Sequence, residues 1–236
     1  MRALVISHQR DAGPGVFARA LAGGGHEFDT WHLAESADPP ADPRGYDGVL
    51  TFGGAMHVDQ ASDHPWIEAE LALISEMVDR GIPLLAVCLG AQLLAAATGG
   101  SAVRAGEPEI GWFEVEVTPE GTDDPVVGTL APRFEAFEWH SYECRLPEGA
   151  VVLARTPVCV QAFRIGPSAW GIQFHAEVTA ADARSWIADY HSDDDAVRTG
   201  VDPAALGTET ERKIDAFNRL GRELCDRWAS AALVRA

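Results

Sequence analysis

The first hundred residues alternate short apolar runs with stretches of helical periodicity. Continuous apolar runs are typical of strands that are buried on both faces of a parallel sheet, and their alternation with helices indicates a doubly wound arrangement. Helices are predicted over residues 13–25 and 63–81, with prolines near their starts and glycines at their ends. Strands are predicted over residues 3–8, 46–54 and 83–90, and the last of these runs directly into a third helix.

The second half of the chain has a different pattern. Residues 111–118 alternate apolar and polar side chains, as a half-buried antiparallel strand does. Segments rich in proline, aspartate and glycine predict loops at 34–45 and 119–132, and the acidic stretch 192–195 is also predicted to be a loop on the surface. The remaining predicted elements are closely spaced strands at 150–156, 158–166 and 169–177, a helix at 179–191 and an amphipathic last helix from about residue 208.

These elements predict an α/β fold. We expect a doubly wound, mostly parallel, flavodoxin-like sheet with helices on both faces, a small antiparallel or mixed section, and a C-terminal helical extension. The predicted division is one domain over residues 1–190 and an extension over 191–236 that packs on the same domain. The sequence does not decide whether the last helix covers a sheet edge or mediates formation of a homodimer.

Charge and hydropathy narrow the class of protein. The 236 residues carry 36 acidic and 18 basic side chains, a formal net charge of −18. Such a surface repels phosphate backbones and anionic lipids, so neither nucleic acid nor a membrane is predicted as a partner. The N-terminus has no signal-peptide pattern and no run of about 18 apolar residues is present, so a cytoplasmic location is predicted.

The four cysteines bear on the chemistry. They are not arranged as C-x-x-C pairs, so no metal site, no cofactor and no disulfide is predicted, and three of them are interpreted as packing thiols. Cys88 differs from these three, because the apolar run that begins at residue 83 ends at it, and small residues, Ala86 and Gly90, lie two positions before and after it. This is the pattern of a nucleophile elbow, a tight strand-to-helix turn that presents a reactive side chain at the carboxyl edge of the sheet.

Two further motifs supply partners for such a nucleophile. The segment "FHAE" contains His175 and Glu177, which share one face if the segment is a strand, so that the carboxylate orients a histidine base. Gly53 and Gly54 end the predicted strand 46–54, where their N–H groups are free to bind an oxyanion. Each motif alone is weak, since a buried histidine beside an acid or a plain glycine turn is more common.

The order of these motifs resembles the class I glutamine amidotransferase family. The resemblance rests on "TFGGAM", "AVCLGAQLLAAATGG" and "WGIQFHAE", and further segments are similar to the stand-alone branch close to the amidotransferase domain of GMP synthetase. It implies that Cys88 is the nucleophile, His175 the base and Glu177 its orienting partner. It also implies an oxyanion hole from the N–H groups of Gly54 and Leu89. Substrate binding is implied for Gly53, Gln92, His140, Ser141 and Tyr142, the last three within "WHSY".

The implied reaction is hydrolysis of the γ-carboxamide of glutamine, or of another γ-glutamyl amide, through a γ-glutamyl thioester. Three positions depart from the family's motifs: Ala55 and Ala176 replace prolines, and Ala86 replaces the first glycine of the elbow. The chain has no ATP-binding loop, so the ammonia acceptor is either a separate synthetase subunit or absent, as in a γ-glutamyl peptidase or hydrolase that acts alone. A non-catalytic binding or regulatory protein on the same fold is the remaining alternative.

Overall fold

The computed structural model describes residues 1–33, 35–36 and 38–234. Parts of the predicted loop 34–45 and of the C-terminal extension therefore lie outside the described residues. Within the described ranges the strands are β1 (Arg2–Ser7), β2 (Glu27–His32), β3 (Gly48–Thr51), β4 (Leu84–Val87), β5 (Ser101–Val117), β6 (Arg133–Arg145), β7 (Val151–Arg155), β8 (Val160–Ile165) and β9 (Ala169–Ile172). The α-helices are α1 (Gly15–Gly23), α2 (Trp66–Asp79), α3 (Leu89–Ala97), α4 (Pro119–Thr122), α5 (Ala180–Ala188), α6 (Asp194–Arg198) and α7 (Pro203–Leu233).

All nine described strands form one mixed sheet in the order β2-β1-β3-β4-β9-β8-β7-β5-β6. The first five strands in that order pair in parallel, and the remaining pairings are antiparallel. Two apolar clusters, one on each side of the sheet, bury the parallel strands, as the continuous apolar runs predict. The predicted α/β fold with its antiparallel section and C-terminal helix is confirmed.

Several predicted elements differ in extent from the observed ones. Strands β2 and β6 are absent from the sequence-based prediction, and β5 begins ten residues before the predicted 111–118. The segment 119–132 contains α4 and a short 3₁₀ helix rather than only a loop. The acidic stretch 192–195 is also not simply a loop, because Asp193 caps the first turn of α6 by accepting from the N–H groups of Asp195 and Ala196.

Helix α7 packs along α1 through an apolar stripe that includes Phe217, Leu224 and Trp228. The Trp228 ring also reaches the sheet, where a Cβ at Gly48 would lie 3.0 Å from it. The apolar face of this amphipathic helix is thus buried against other parts of the same chain. The division of the chain at residue 190 stays a prediction.

None of the described helices is both long enough and apolar enough to cross a lipid bilayer.

Candidate active site

Cys88 lies at the junction of β4 and α3, and its backbone has a φ of 52°. It is the one residue other than glycine with a positive φ in the part of the chain that the structure describes. Such a conformation is strained and persists only where the surroundings impose it. The turn is tight, because a Cβ at Gly90 would lie 2.5 Å from the carbonyl oxygen of Thr51. The predicted strand-to-helix elbow is therefore present.

His175 and Glu177 are hydrogen-bonded, with 2.8 Å between Nδ1 and Oε1, and both side chains are buried. Strand β9 ends at Ile172, so the pair lies in the turn after the strand rather than on one face of it. The expected pairing is observed, but the reason given from strand geometry is wrong. Burial opposes the charged ring, yet the Glu177 carboxylate and the Cys88 sulfur raise the pKa of His175 well above its usual value.

The turn that carries this pair is held by the first and last helices. The N–H of Val16, at the start of α1, donates to the Glu177 carbonyl at 2.7 Å. From α7, the Asn218 amide donates to the Val178 carbonyl at 2.7 Å. Glycine is required on the α7 side, since a Cβ at Gly221 would lie 2.0 Å from the carbonyl oxygen of Ala176.

Cys88 and His175 line a cavity of about 450 Å³. Two predicted site residues, Gly53 and Glu177, are not part of the lining, because both lie behind it against the His175 ring. A Cβ at Gly53 would lie 3.1 Å from the His175 ring and 3.6 Å from the Cys88 Cβ, so a side chain there would crowd both. The other predicted site residues that line the cavity are Gly54, Leu89, Gln92, His140, Ser141 and Tyr142.

The glycine pair after β3 lies beside the elbow. Leu89 is the first residue of α3, so its N–H has no acceptor within the helix. Gly54 packs close to it, because a Cβ at Gly54 would lie 3.2 Å from Leu89 Cδ2. The Gly53 carbonyl is fixed by His8, whose Nδ1 lies 3.1 Å away and whose Nε2 lies 2.7 Å from the buried Glu70 carboxylate.

His8 belongs to no recognisable motif in the sequence, and the structure buries it. Burial disfavours its charged form, but Glu70 raises its pKa above the ordinary value. No sequence motif joins residues 8 and 70, so this support of the glycine pair could be found only in the fold.

Two predicted substrate-binding side chains, Gln92 and His140, contact the carbonyl of Tyr142. The Gln92 amide donates to it at 3.4 Å and to Gln173 at 3.3 Å, while His140 Nδ1 lies 3.0 Å from it. The Tyr142 ring stacks on His57 with centroids 3.9 Å apart. Gln92 and His140 thus fix the backbone of the "WHSY" segment at the cavity wall.

The outer part of the cavity lies beyond the predicted site residues. It is aromatic and acidic: Trp186 packs edge-on against the His175 ring with centroids 4.8 Å apart, and the Trp139 indole donates to Asp193 at 2.8 Å. The one arginine among the lining residues, Arg104, is bound to Asp195 at 2.6 Å. The remaining charged residues in that lining are Asp11, Asp189 and Asp194.

Comparison with known sequences identifies a family and several relatives. The family model described as "Glutamine amidotransferase class-I" matches residues 16–190. A γ-glutamyl-L-1-hydroxyisopropylamide hydrolase of a Pseudomonas species is 32% identical over 63% of the chain and 55% of its own length. A subunit of the glutamine-hydrolysing GMP synthase of Halobacterium salinarum is 32% identical over 63% of the chain and 75% of its own length.

Solved structures give the same result at the level of the fold. A glutamine amidotransferase from Thermotoga maritima has a TM-score of 0.86 at 29% identity, and 97% of each chain is covered. A glutamine amidotransferase from Methylobacillus flagellatus has a TM-score of 0.83 at 29% identity, over 97% of this chain and 94% of the other. The protein belongs to the class I glutamine amidotransferase family. Its relatives include both a γ-glutamyl amide hydrolase and subunits of GMP synthase.

Proposed function

We propose that the protein hydrolyses a γ-glutamyl amide, with Cys88 as nucleophile, His175 as base and acid, and Glu177 as the group that orients the ring. One observation carries the proposal. A cysteine held at φ 52° on an elbow opens into the same cavity as a histidine whose other nitrogen is bound to a buried carboxylate. This is the arrangement that nucleophilic catalysis by a thiol requires.

The proposed reaction has two stages. The Cys88 sulfur attacks the γ-carbonyl carbon after His175 has taken its proton, and the N–H groups of Gly54 and Leu89 stabilise the oxyanion, each worth about 2.7–4 kcal/mol. His175 then gives its proton to the departing amine, which leaves a γ-glutamyl thioester. A water molecule attacks the thioester while His175 takes its proton, and the thiol and glutamate are released.

The glutamyl end of the substrate is proposed to bind at Gln92 and at the backbone of Ser141 and Tyr142. Support comes from the rigidity of this wall, where the Tyr142 carbonyl is held by two side chains. A fixed wall orients the γ-carbonyl against the sulfur before the reaction begins.

The leaving group is either ammonia, passed to a separate synthetase subunit, or a larger amine released to solvent. The relatives include proteins named for both activities. The cavity extends from Cys88 to Trp139, Trp186 and the outer aspartates, which leaves room beyond the scissile bond for more than ammonia. This extension favours a hydrolase of γ-glutamyl amines that acts alone. Glutamine hydrolysis that supplies ammonia to a partner synthetase is the second candidate.

The test combines turnover with covalent trapping. Release of ammonia or amine is measured from glutamine and from a panel of γ-glutamyl amines, for the wild type and for Cys88→Ala, with Cys225→Ala as the matched control for loss of another buried thiol. We expect Cys88→Ala to abolish turnover while thermal unfolding stays cooperative, and Cys225→Ala to retain it. A glutamine-like electrophile should add to Cys88, as read by peptide mass spectrometry.

Labelling at another cysteine, or undiminished turnover in Cys88→Ala, would show that the assignment is wrong. A wild-type protein that binds γ-glutamyl compounds but releases neither ammonia nor amine from any of them would favour the non-catalytic binding protein instead.

A further inference from the structure

A second group of reactive side chains includes His140 of the "WHSY" segment and lies apart from the proposed triad. Glu109 on β5 is directly opposite His140 on β6, Glu138 lies two residues earlier on β6, and Cys159 lies just before β8. All four residues are buried. His140 Nε2 lies 3.3 Å from an oxygen of each glutamate, and Cys159 Sγ lies 3.5 Å from Glu109 Oε2.

Several polar atoms of this group make no hydrogen bond. Among the described residues, the buried side-chain atoms without a hydrogen-bond partner include Glu109 Oε1, both oxygens of Glu138 and His140 Nε2. The two contacts of 3.3 Å between the ring and the carboxylates are too long or too poorly aligned to count as hydrogen bonds. Buried polar atoms without partners are costly, so four of them at one point indicate that a cation belongs there.

The surroundings support two of these side chains. His140 Nδ1 lies 3.0 Å from the Tyr142 carbonyl and donates to it, so Nε2 is the ring nitrogen that faces the carboxylates. Glu109 Oε2 accepts from Gln161 at 2.7 Å and from Thr156 at 3.1 Å, while Oε1 has no partner. Hydrogen bonds to the ligating residues from the protein around them are the usual outer support of metal sites.

The donor set and spacing identify the class of ion. Carboxylate oxygen, imidazole nitrogen and thiolate sulfur together are typical of Zn²⁺ and unlike the all-oxygen sites of Mg²⁺ or Ca²⁺. A tetrahedral ion with ligands at about 2.0–2.3 Å has donor atoms about 3.3–3.8 Å apart. The separations of 3.3 Å between His140 Nε2 and Glu109 Oε2 and of 3.5 Å between Cys159 Sγ and Glu109 Oε2 fall within this interval, and the donor atoms of these three residues all lie within 4.8 Å of one another.

We propose that Glu109, His140 and Cys159 hold a Zn²⁺-type divalent ion in a structural site, and that the adjacent Glu138 completes it as the fourth ligand by rotation of its side chain. The thiol of Cys159 gives its proton to solvent as the sulfur–metal bond forms, so binding one ion releases at least one proton. Four protein ligands close the site, which makes it structural rather than catalytic. The ion would join β5 and β6 to the segment before β8 and so stiffen the wall that carries Ser141 and Tyr142.

The experiment uses Co²⁺ as a spectroscopic substitute in full-length protein without a histidine tag. The background is Cys88→Ala, which removes the thiol that opens into the substrate cavity. After treatment with a chelator, we expect one equivalent of Co²⁺ to bind with visible absorption of tetrahedral type and a sulfur-to-cobalt charge-transfer band. Zn²⁺ should displace it and raise the melting temperature, since an ion that binds only the folded chain stabilises it.

The variants separate this site from adventitious binding. Cys159→Ser should remove the charge-transfer band and weaken Zn²⁺ binding at least about tenfold. The control Cys225→Ser, which also removes a buried thiol, should change neither. Glu138→Gln is the second variant, with weakened binding expected, in case Cys159→Ser does not fold. Binding without a charge-transfer band, binding of several equivalents, or no saturable binding to the parent protein would overturn the proposal.

Discussion

At the scale of single residues, the environment of His175 accounts for the chemistry proposed. Its ring lies between the Glu177 carboxylate and the Cys88 sulfur, and these two groups outweigh the effect of burial on its pKa. A ring that is easily protonated can take the thiol proton and later deliver it to the amine. Glu177 also fixes the tautomer, because Nδ1 is engaged and Nε2 is left for the reaction.

We therefore expect Glu177→Gln to lower kcat/KM about 10²–10⁴-fold, because the ring loses both its orientation and its charge partner. The pKa of His175 should fall in this variant, which an NMR titration of the ring would measure. Glu70→Gln is the comparison, since it also removes a buried carboxylate from a histidine, His8. Glu70→Gln should lower the stability of the fold without changing the pKa of His175. An equal shift of that pKa in both variants would contradict the prediction.

The same pair predicts a pH dependence of stability. The folded pKa of His175 is above its unfolded value of about 6.5. The protonated ring therefore contributes stability that is fully present below about pH 6.5 and is lost as pH rises through the folded pKa. Urea unfolding over a pH series should show a larger decline above about pH 6.5 in the wild type than in Glu177→Gln. Parallel curves would refute this.

The sequence selected the residues of the candidate site more readily than the contacts that hold them in place. Cys88, His175 and Glu177 are contained in short motifs, so one stretch of sequence is enough to select each. His8 and Cys159 could not be predicted, because each meets its carboxylate partner across a long stretch of chain. The expectation that no metal binds rested on the missing C-x-x-C spacing, whereas the ligands of the proposed site come from three separate segments.

At the scale of elements, the proposed catalytic triad depends on helices outside the sheet. The turn after β9 carries His175 and Glu177 and is held by the start of α1 and by Asn218 and Gly221 on α7. Ala176 stands where the family has proline, so the turn has a freer backbone and relies more on these contacts. Amphipathicity predicted that α7 is a helix, but not that it reaches the triad.

Two glycines of α7 provide a matched test. A Cβ at Gly221 would lie 2.0 Å from the Ala176 carbonyl oxygen, whereas a Cβ at Gly207 would have nothing within 4 Å. Gly221→Ala should therefore cost about 1–3 kcal/mol of stability and lower kcat by displacing His175. Gly207→Ala should stabilise the helix by up to about 1 kcal/mol and leave kcat unchanged. Chemical denaturation and steady-state kinetics measure both, and similar effects of the two substitutions would count against the role of α7.

At the scale of the whole molecule, the excess of negative charge extends to the outer part of the cavity. The net charge is −18, and the cavity lining carries five aspartates against Arg104, which is itself bound to Asp195. A cavity with one sign of charge raises the local concentration of oppositely charged ligands and repels like-charged ones.

Within the proposed function, we expect the γ-glutamyl amide of a diamine to be cleaved faster than that of an ω-amino acid of the same length. The difference in kcat/KM should be about tenfold or more at low ionic strength and should shrink as salt is added. Asp194→Asn, which removes one rim charge, should reduce the difference without affecting the cleavage of glutamine. A preference for the anionic leaving group would contradict the electrostatic argument.

The contacts of the turn after β9 with α1 and α7 have a consequence for biosynthesis. Val16 is synthesised well before this turn and Gly221 well after it, yet both touch the turn between residues 176 and 178. A nascent chain that has exposed Cys88 still lacks the α7 contacts behind the proposed base until α7 has left the ribosome. Under the proposed function, hydrolytic competence therefore arises only once α7 has emerged, and chains arrested before α7 should carry a thiol that a glutamine-like electrophile labels poorly.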